Sequence, residues 1–358
     1  MKICFIAPAN NYHTIKWCTW FKNRGHEVAV ISLVHGTIEG VSIYCLDCGV
    51  NVNDSDVKKI KYLFQACKIK KILKNLCPDI INVHYATSYG MLAALAGIRN
   101  YILSVWGSDV YEFPNRSIFH KIMLKFSLKK ARYIFSTSKA MAEETQKYTN
   151  KDILITPFGV DTNLFSPLKR NRLADGEFVI GTIKALKKKY GIDVLLKASG
   201  VVLQKRPDIN LKIRIAGSGE EEKRLKQLAE KLQINENIVW LGFISQEQAA
   251  QEWANMDIGI VVSESESFGV SAVEAQACGV PVIISDIPGL KEATNPNTSS
   301  IVVPIGDYFK LADSIVDLYD NPQKRYDMGN NGITYVKNNY NINKCFLHIE
   351  KLYKRAIN

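Results

Sequence analysis

Two successive series of short apolar strands, each strand parted from the next by a helix-length segment, constrain this chain more than any other feature. The first series takes in residues 2–7, 27–33, 79–84, 101–106, 133–137 and 153–156; the second takes in 178–183, 211–216, 238–242, 258–262, 282–285 and 301–303. These runs are rich in β-branched and other apolar residues, the pattern of strands buried on both faces of a parallel sheet. Two such series predict an α/β chain of two doubly wound, Rossmann-like domains facing a cleft. A length of 358 residues suits two cores better than one. Pro and Gly punctuate 157–161, and a polar run follows to Gly176, so the break falls there. The expected domains are 1–165 and 166–339. The segment 335–358 reads as helical and basic, with 340–358 packing back on the first domain.

Composition narrows the function. A hydrophobic content of 47% is ordinary for a globular protein, and no apolar run is long enough to span a bilayer. The amino-terminal run turns polar at Asn10 and Asn11, too short for a signal peptide. Eight cysteines, several on apolar faces (Cys4, Cys67, Cys278), read as reduced thiols. Cys45 and Cys48 make a lone C-x-x-C without a second pair or a histidine cluster, which argues against zinc or redox chemistry. The expectation is a cytoplasmic protein that uses no metal. The net charge of +11 is uneven, with +9 carried by residues 1–166 and +2 by the rest. Lys58, Lys59, Lys61, Lys68, Lys70, Lys71 and Lys74 crowd one expected helix, with Leu63, Phe64, Cys67, Leu73 and Leu76 as its apolar side. Arg116, Lys121, Lys125, Lys129, Lys130 and Arg132 crowd another. Such lysines suit either a solvated outer face or attraction to anionic lipid headgroups or a phosphate-bearing acceptor, the lipid reading implying a peripheral place on an inner membrane face. Aromatics do not alternate with these charges along the sequence, so nucleic acid is not an expected partner.

The chemistry gathers at strand ends. Glu266 and Glu274 stand eight residues apart around Ser267-Phe268-Gly269, the first in a polar loop after the 258–262 strand, the second inside a helix expected over 270–278. Carboxylates accept hydroxyl donors, and a helix start favours negative charge, so this turn suits a hydroxyl-rich anionic ligand. Lys184 and then Lys187-Lys188-Lys189 follow the 178–183 strand, where cations can neutralise a diphosphate. The turn Ala216-Gly-Ser-Gly219 precedes a helix expected over 220–232 that opens with three glutamates, which makes a phosphate there unfavourable; the turn reads as structural. No glycine follows the first strand between Ala7 and His13, against a nicotinamide dinucleotide. His13, His84, Trp106 and Asp109 lie at strand ends of the first series and form one polar and aromatic rim. Neither a G-x-S-x-G nucleophile elbow nor metal-ligand spacing is present.

The segment from Glu266 to Glu274 is similar to the E-x7-E signature of family 4 retaining glycosyltransferases of the GT-B fold. Thr156-Pro-Phe-Gly-Val-Asp161-Thr-Asn-Leu-Phe165 resembles that family's interdomain motif, and Ser138-Lys-Ala-Met141 and Gly25-His-Glu-Val28 match its usual phrases. The likeness covers nearly the whole chain. It implies sugar transfer, with retention, from a nucleotide-diphospho-sugar held by the second domain to a hydroxyl acceptor held by the first, in surface polysaccharide or glycoconjugate assembly. The donor would be a UDP-sugar in preference to a GDP-sugar, the acceptor a glycan or lipid-linked glycan, and no metal or other cofactor would be required. Glu274 would bind the ribose, Glu266 with Phe268, Gly269 and Val270 the donor sugar, Lys184 and Lys189 the diphosphate, and the backbone at Phe243 and Ile244 the base. A nucleotide-sugar epimerase of the same fold and a non-catalytic partner subunit are the alternatives. Three departures stand out. The family's glycine pair after the first strand is missing, with Asn10, Asn11 and His13 there instead. Lys184 replaces an arginine, keeping the charge without the fork. Trp106 replaces the histidine of H-G-x-D, which moves the expected catalytic role in the first domain to Asp109 and His84.

Overall fold

The computed structural model describes residues 1–46, 64–167 and 176–357. The chain divides into two compact units, Met1–Phe158 together with Phe346–Asn358, and Gly159–Cys345.

Among the described residues the first unit is built on seven strands: β1 Lys2–Ile6, β2 Glu27–Ser32, β3 Ser42–Cys45, β4 Ile80–His84, β5 Ile102–Val105, β6 Tyr133–Ser136 and β7 Ile153–Ile155. Their order is β3-β2-β1-β4-β5-β6-β7, and every pairing is parallel. The chain winds outward from β1 to β3, then returns beside β1 and winds the other way from β4. That reversal sets the loops after β1 and β4 side by side, the place where such sheets bind ligands. Strand β3 was not among the six expected here. It is a four-residue edge strand of alternating exposure, without the continuous apolar run of a buried strand. It ends at Cys45, and Cys48 lies outside the described residues.

The core of this unit is finished by the far end of the chain. Trp17 meets Phe346 edge-on at 5.2 Å, and Phe21 stacks on Tyr353 at 5.3 Å. The Tyr353 hydroxyl donates to Asn82 Oδ1 at 2.8 Å. Glu350, buried, pairs with Arg24 at 3.1 Å and His26 at 3.2 Å. The helical, basic run 335–358 falls on two helices, Pro322–Asn339 and Ile342–Ile357, the second being the one expected over 340–358. The break is Asn341, whose Oδ1 accepts from the amides of Asn343 and Lys344 and so opens the second helix.

The helix Ala66–Leu76 corrects a second expectation. Its buried side is Ala66, Ile69, Leu73 and Leu76, while Phe64 and Cys67 are exposed, with Phe64 at 77%. Lys68, Lys70, Lys71 and Lys74 face outward; Lys58, Lys59, Lys61 and Leu63 lie outside the described residues.

The second unit repeats the plan with β8 Phe178–Ile183, β9 Leu211–Ala216, β10 Ile238–Gly242, β11 Ile258–Val261, β12 Val282–Ser285 and β13 Ser300–Val303. The order is β10-β9-β8-β11-β12-β13, again with every pairing parallel. Here the winding reverses between β8 and β11. The helix after β11 is Val270–Ala277, and the one after the Gly217-Ser-Gly219 turn is Glu222–Lys231. Among the described residues no helix is long and apolar enough to cross a membrane.

Candidate functional site

In the second unit, the loops that leave β8 and β11 are tied together. The Glu264 amide donates to the Lys189 carbonyl at 2.8 Å. Lys184 Nζ pairs with Glu266 Oε2 at 2.5 Å, both side chains being largely covered at 12% and 13% exposure. Tyr190 serves both cations, with Lys184 Nζ 4.9 Å and Lys189 Nζ 5.2 Å from its ring centroid. Two ammonium groups are thus held near one aromatic ring, an attraction that strengthens as water is excluded. The topology has brought Lys184, Lys189 and Glu266 to one point, at the reversal of the sheet.

Close backbone approaches hold these loops in place. Gly217 has φ +135°, and a Cβ there would lie 1.9 Å from the Lys184 carbonyl oxygen; at Gly219 it would lie 2.3 Å from that of Leu186. The Lys184 amide donates to the Ala216 carbonyl at 2.9 Å, and the Leu186 amide to that of Ser218 at 3.0 Å. The glycines of this turn therefore let the β9 loop press against the lysine loop, a steric rather than a phosphate-binding reason for them. On the other side, a Cβ at Gly289 would come 2.3 Å from the Glu266 carbonyl oxygen.

Phe268 is buried at 2% and meets Tyr340 edge-on at 5.0 Å, so its side chain anchors the turn while its backbone runs on to the helix. Gly269 caps Val270–Ala277 with φ +91°, its carbonyl accepting from Ala272 at 3.0 Å and Val273 at 3.3 Å. The amides of Val270 and Ser271 precede the first turn's bonds, and it is such amides that favour an anion. Glu274, one turn further on, is buried at 7%. Phe243 and Ile244 follow β10, with Phe243 85% exposed.

In the first unit, the loops after β1, β4 and β5 converge on Trp106. His84 lies 4.3 Å from the Trp106 ring and His13 lies 5.8 Å from it, while His13 stacks on Phe158 at 4.0 Å. Burial pushes the His84 imidazole down to about 3, and burial first, then Lys16 and His84, holds His13 well below the ordinary imidazole range. Both rings are therefore neutral at pH 7, and the Nδ1 atoms of both are buried without a hydrogen-bond partner among the described residues. His84 is 0% exposed, with Nε2 3.2 Å from Asn82 Oδ1. Asp109, 1% exposed, accepts from the amides of Gly107 at 2.8 Å, Ala86 at 2.9 Å and Trp106 at 3.1 Å. Burial raises its pKa, and those three amides oppose the rise. Its carboxylate is a clamp joining the loops after β4 and β5. The glycine missing after β1 has a counterpart elsewhere: a Cβ at Gly36 would meet the Ala9 carbonyl carbon at 2.6 Å, so the close approach to that turn is made from the β2 side.

Several residues escaped sequence reasoning. Tyr190 was visible only as the residue after the lysine run. Ser263 and Ser271, whose hydroxyls are buried without a partner among the described residues, flank Glu266 in sequence and carried no signal of their own. Gly191 admits the Val262 carbonyl, which a Cβ there would meet at 2.2 Å, and nothing local announces that.

Comparison with known proteins follows the same division. Residues 2–138 match the family model described as Glycosyl transferase 4-like, and residues 167–335 match Glycosyl transferases group 1. Between them the two matches take in most of the chain. The D-inositol 3-phosphate glycosyltransferase of Pseudarthrobacter chlorophenolicus is 34% identical over 209 residues, 56% of this chain and 50% of that protein. The chain thus spans about half the length of the first curated relatives it matches. Among solved structures, sucrose-phosphate synthase from Thermosynechococcus elongatus superposes with a TM-score of 0.87 at 18% identity, covering 99% of this chain and 98% of the other. Anabaena Alr3699/HepE in complex with UDP and glucose superposes with a TM-score of 0.83 at 17% identity, covering 99% of both chains. At such identities the likeness is one of fold.

Proposed function

Because the chain belongs to the glycosyltransferases of the GT-B type, we propose that it moves a sugar from a UDP-sugar to a hydroxyl of a glycan or lipid-linked glycan, with retention, in surface polysaccharide or glycoconjugate assembly. The observation that carries this reading is the convergence of Lys184, Lys189 and Glu266 at the reversal of the second sheet, beside the start of the Val270–Ala277 helix. In the reaction the bond from the anomeric carbon to the diphosphate oxygen breaks, and its electrons leave with the diphosphate. The acceptor oxygen forms the new bond, and its proton goes to the departing diphosphate. Lys184, Lys189 and the amides at Gly269–Ser271 stabilise the charge that grows on that leaving group. Glu274 takes the ribose, Glu266 and the backbone of Phe268 to Val270 the donor sugar, and Phe243 and Ile244 the base. Support for UDP comes from the Anabaena neighbour, whose structures hold it.

His84 and Asp109 act in this reading as positioning residues, since both are buried and Asp109 is engaged by three amides. His13, expected as a donor-binding residue, is half-buried at the same rim and is assigned in this reading to the acceptor. Two cations and a helix start supply the positive charge, so no metal is assigned.

The test is product mass spectrometry with a panel of UDP- and GDP-sugars and simple lipid-linked acceptors, in EDTA. Lys184→Ala and Lys189→Ala should each lower transfer by about 100-fold or more, the scale on which removal of one charge-stabilising donor is felt. Near-normal turnover by either folded variant would overturn the diphosphate assignment, and loss of all transfer in EDTA would overturn the metal-free one.

A further inference from the structure

We propose that the helix Ile118–Lys130 of the first unit is a membrane-docking element, seating an outward row of apolar side chains in the interface of an anionic bilayer. The helix is apolar on two sides. Leu124 and Leu128 are fully buried together with Ser127, and this side covers the core. Helical periodicity puts Ile118, Phe119, Ile122 and Phe126 on the opposite side. The first three of these are exposed at 63%, 73% and 57%. A helix that only covers a core needs one apolar stripe. A second stripe, turned to water, costs solvation free energy unless something apolar receives it.

The charges around the row say what receives it. Arg116, Lys121, Lys125, Lys129, Lys130 and Arg132 are all exposed, and the sequence has no Asp or Glu from 113 to 142. Lys130 Nζ lies 5.5 Å over the Phe126 ring, so cation and apolar surface share one face. Cations beside isoleucine and phenylalanine fit a surface that is anionic at its headgroups and apolar just beneath. Nucleic acid fits less well, because Ile118 and Ile122 offer bases no ring on which to stack. This surface deepens the proposed function by naming where a lipid-linked acceptor is met, and it rests on that reading for the acceptor alone.

The experiment is vesicle sedimentation of the full chain. Wild type should sediment with vesicles of phosphatidylcholine mixed with phosphatidylglycerol and not with phosphatidylcholine alone, and binding should weaken as salt rises from ~0.05 to ~0.5 M. Ile118→Ser/Phe119→Ser/Ile122→Ser and Lys121→Glu/Lys125→Glu/Lys129→Glu should each cut the bound fraction about tenfold or more. All six side chains are exposed, so both variants should melt as wild type does, and UDP should still raise their melting temperature. That last measurement separates failure of docking from failure of the transferase reading. No wild-type binding, equal binding to neutral vesicles, or undiminished binding by the serine variant would overturn the proposal. So would a wild-type dimer that the serine variant splits, which would assign the face to a second copy, or an oligonucleotide complex that only the lysine variant loses.

Discussion

Gly217 shows how far a single residue can reach. Its φ of +135° and the 1.9 Å approach of the Lys184 carbonyl to an added Cβ leave no room for a side chain, because the obstacle is backbone. Gly217→Ala should destabilise the chain by about 1–3 kcal/mol, from strain plus overpacking. It should also lower affinity for UDP by moving the Lys184 loop. Urea titration and calorimetry with UDP read the two effects; an alanine variant of unchanged stability would remove the packing account. His84 supports a pH prediction. Its imidazole falls from 6.5 in the free side chain to about 3 in the fold. The folded form therefore binds fewer protons than the unfolded form, so this contribution to stability is present above pH 6.5 and is lost as pH falls toward about 3. In His84→Phe, the urea midpoint should fall less steeply across that window than in wild type. An identical slope would mean that other groups carry the acid sensitivity.

At the scale of elements, most of the architecture was legible. Twelve expected strands are present within a residue or so of their expected ends, because continuous β-branched runs have few other stable forms. Strand β3 was not legible, since an edge strand of alternating exposure looks like loop. The Ile342–Ile357 helix was expected over 340–358, close to its observed ends, but the break before it was not, because Tyr340 and Asn341 do not interrupt the basic, apolar pattern around them. Asn341→Ala should cost about 1 kcal/mol, as loss of a helix cap does. A drop in the urea midpoint without a change in slope would be the sign of it, and no drop would show the cap to be incidental. In the candidate site, strand ends and spacing pointed to the lysine run and to Glu266 and Glu274, the family resemblance singled out Lys184 and Lys189 from that run, and the fold brings Lys184, Lys189 and Glu266 together. The role of Asp109 as a backbone clamp could not be found so, because it depends on amides from two loops that meet only in the fold.

At the scale of the whole molecule, the described residues form two sheets that each reverse their winding beside their first strand, and the strongest candidate chemistry stands at the reversal in the second. Hydrogen exchange on the intact chain should locate a bound nucleotide without reference to turnover. With UDP, peptides covering 184–190, 217–219 and 264–274 should gain protection, while 118–130 should not change. Protection confined to the first unit would relocate the donor site.

One feature of the fold bears on how the protein is made. Phe346, Glu350 and Tyr353 complete a core whose other members begin at Phe5. A ribosome that has translated the first 158 residues has therefore delivered a domain still lacking part of its interior, while Gly159–Cys345 has every strand of its own sheet before the last helix emerges. At ~5–20 residues per second, the segment 159–345 takes roughly ten seconds or more to make, so Trp17 and Phe21 wait that long for Phe346 and Tyr353, and it is over that interval that the nascent first unit most needs a chaperone.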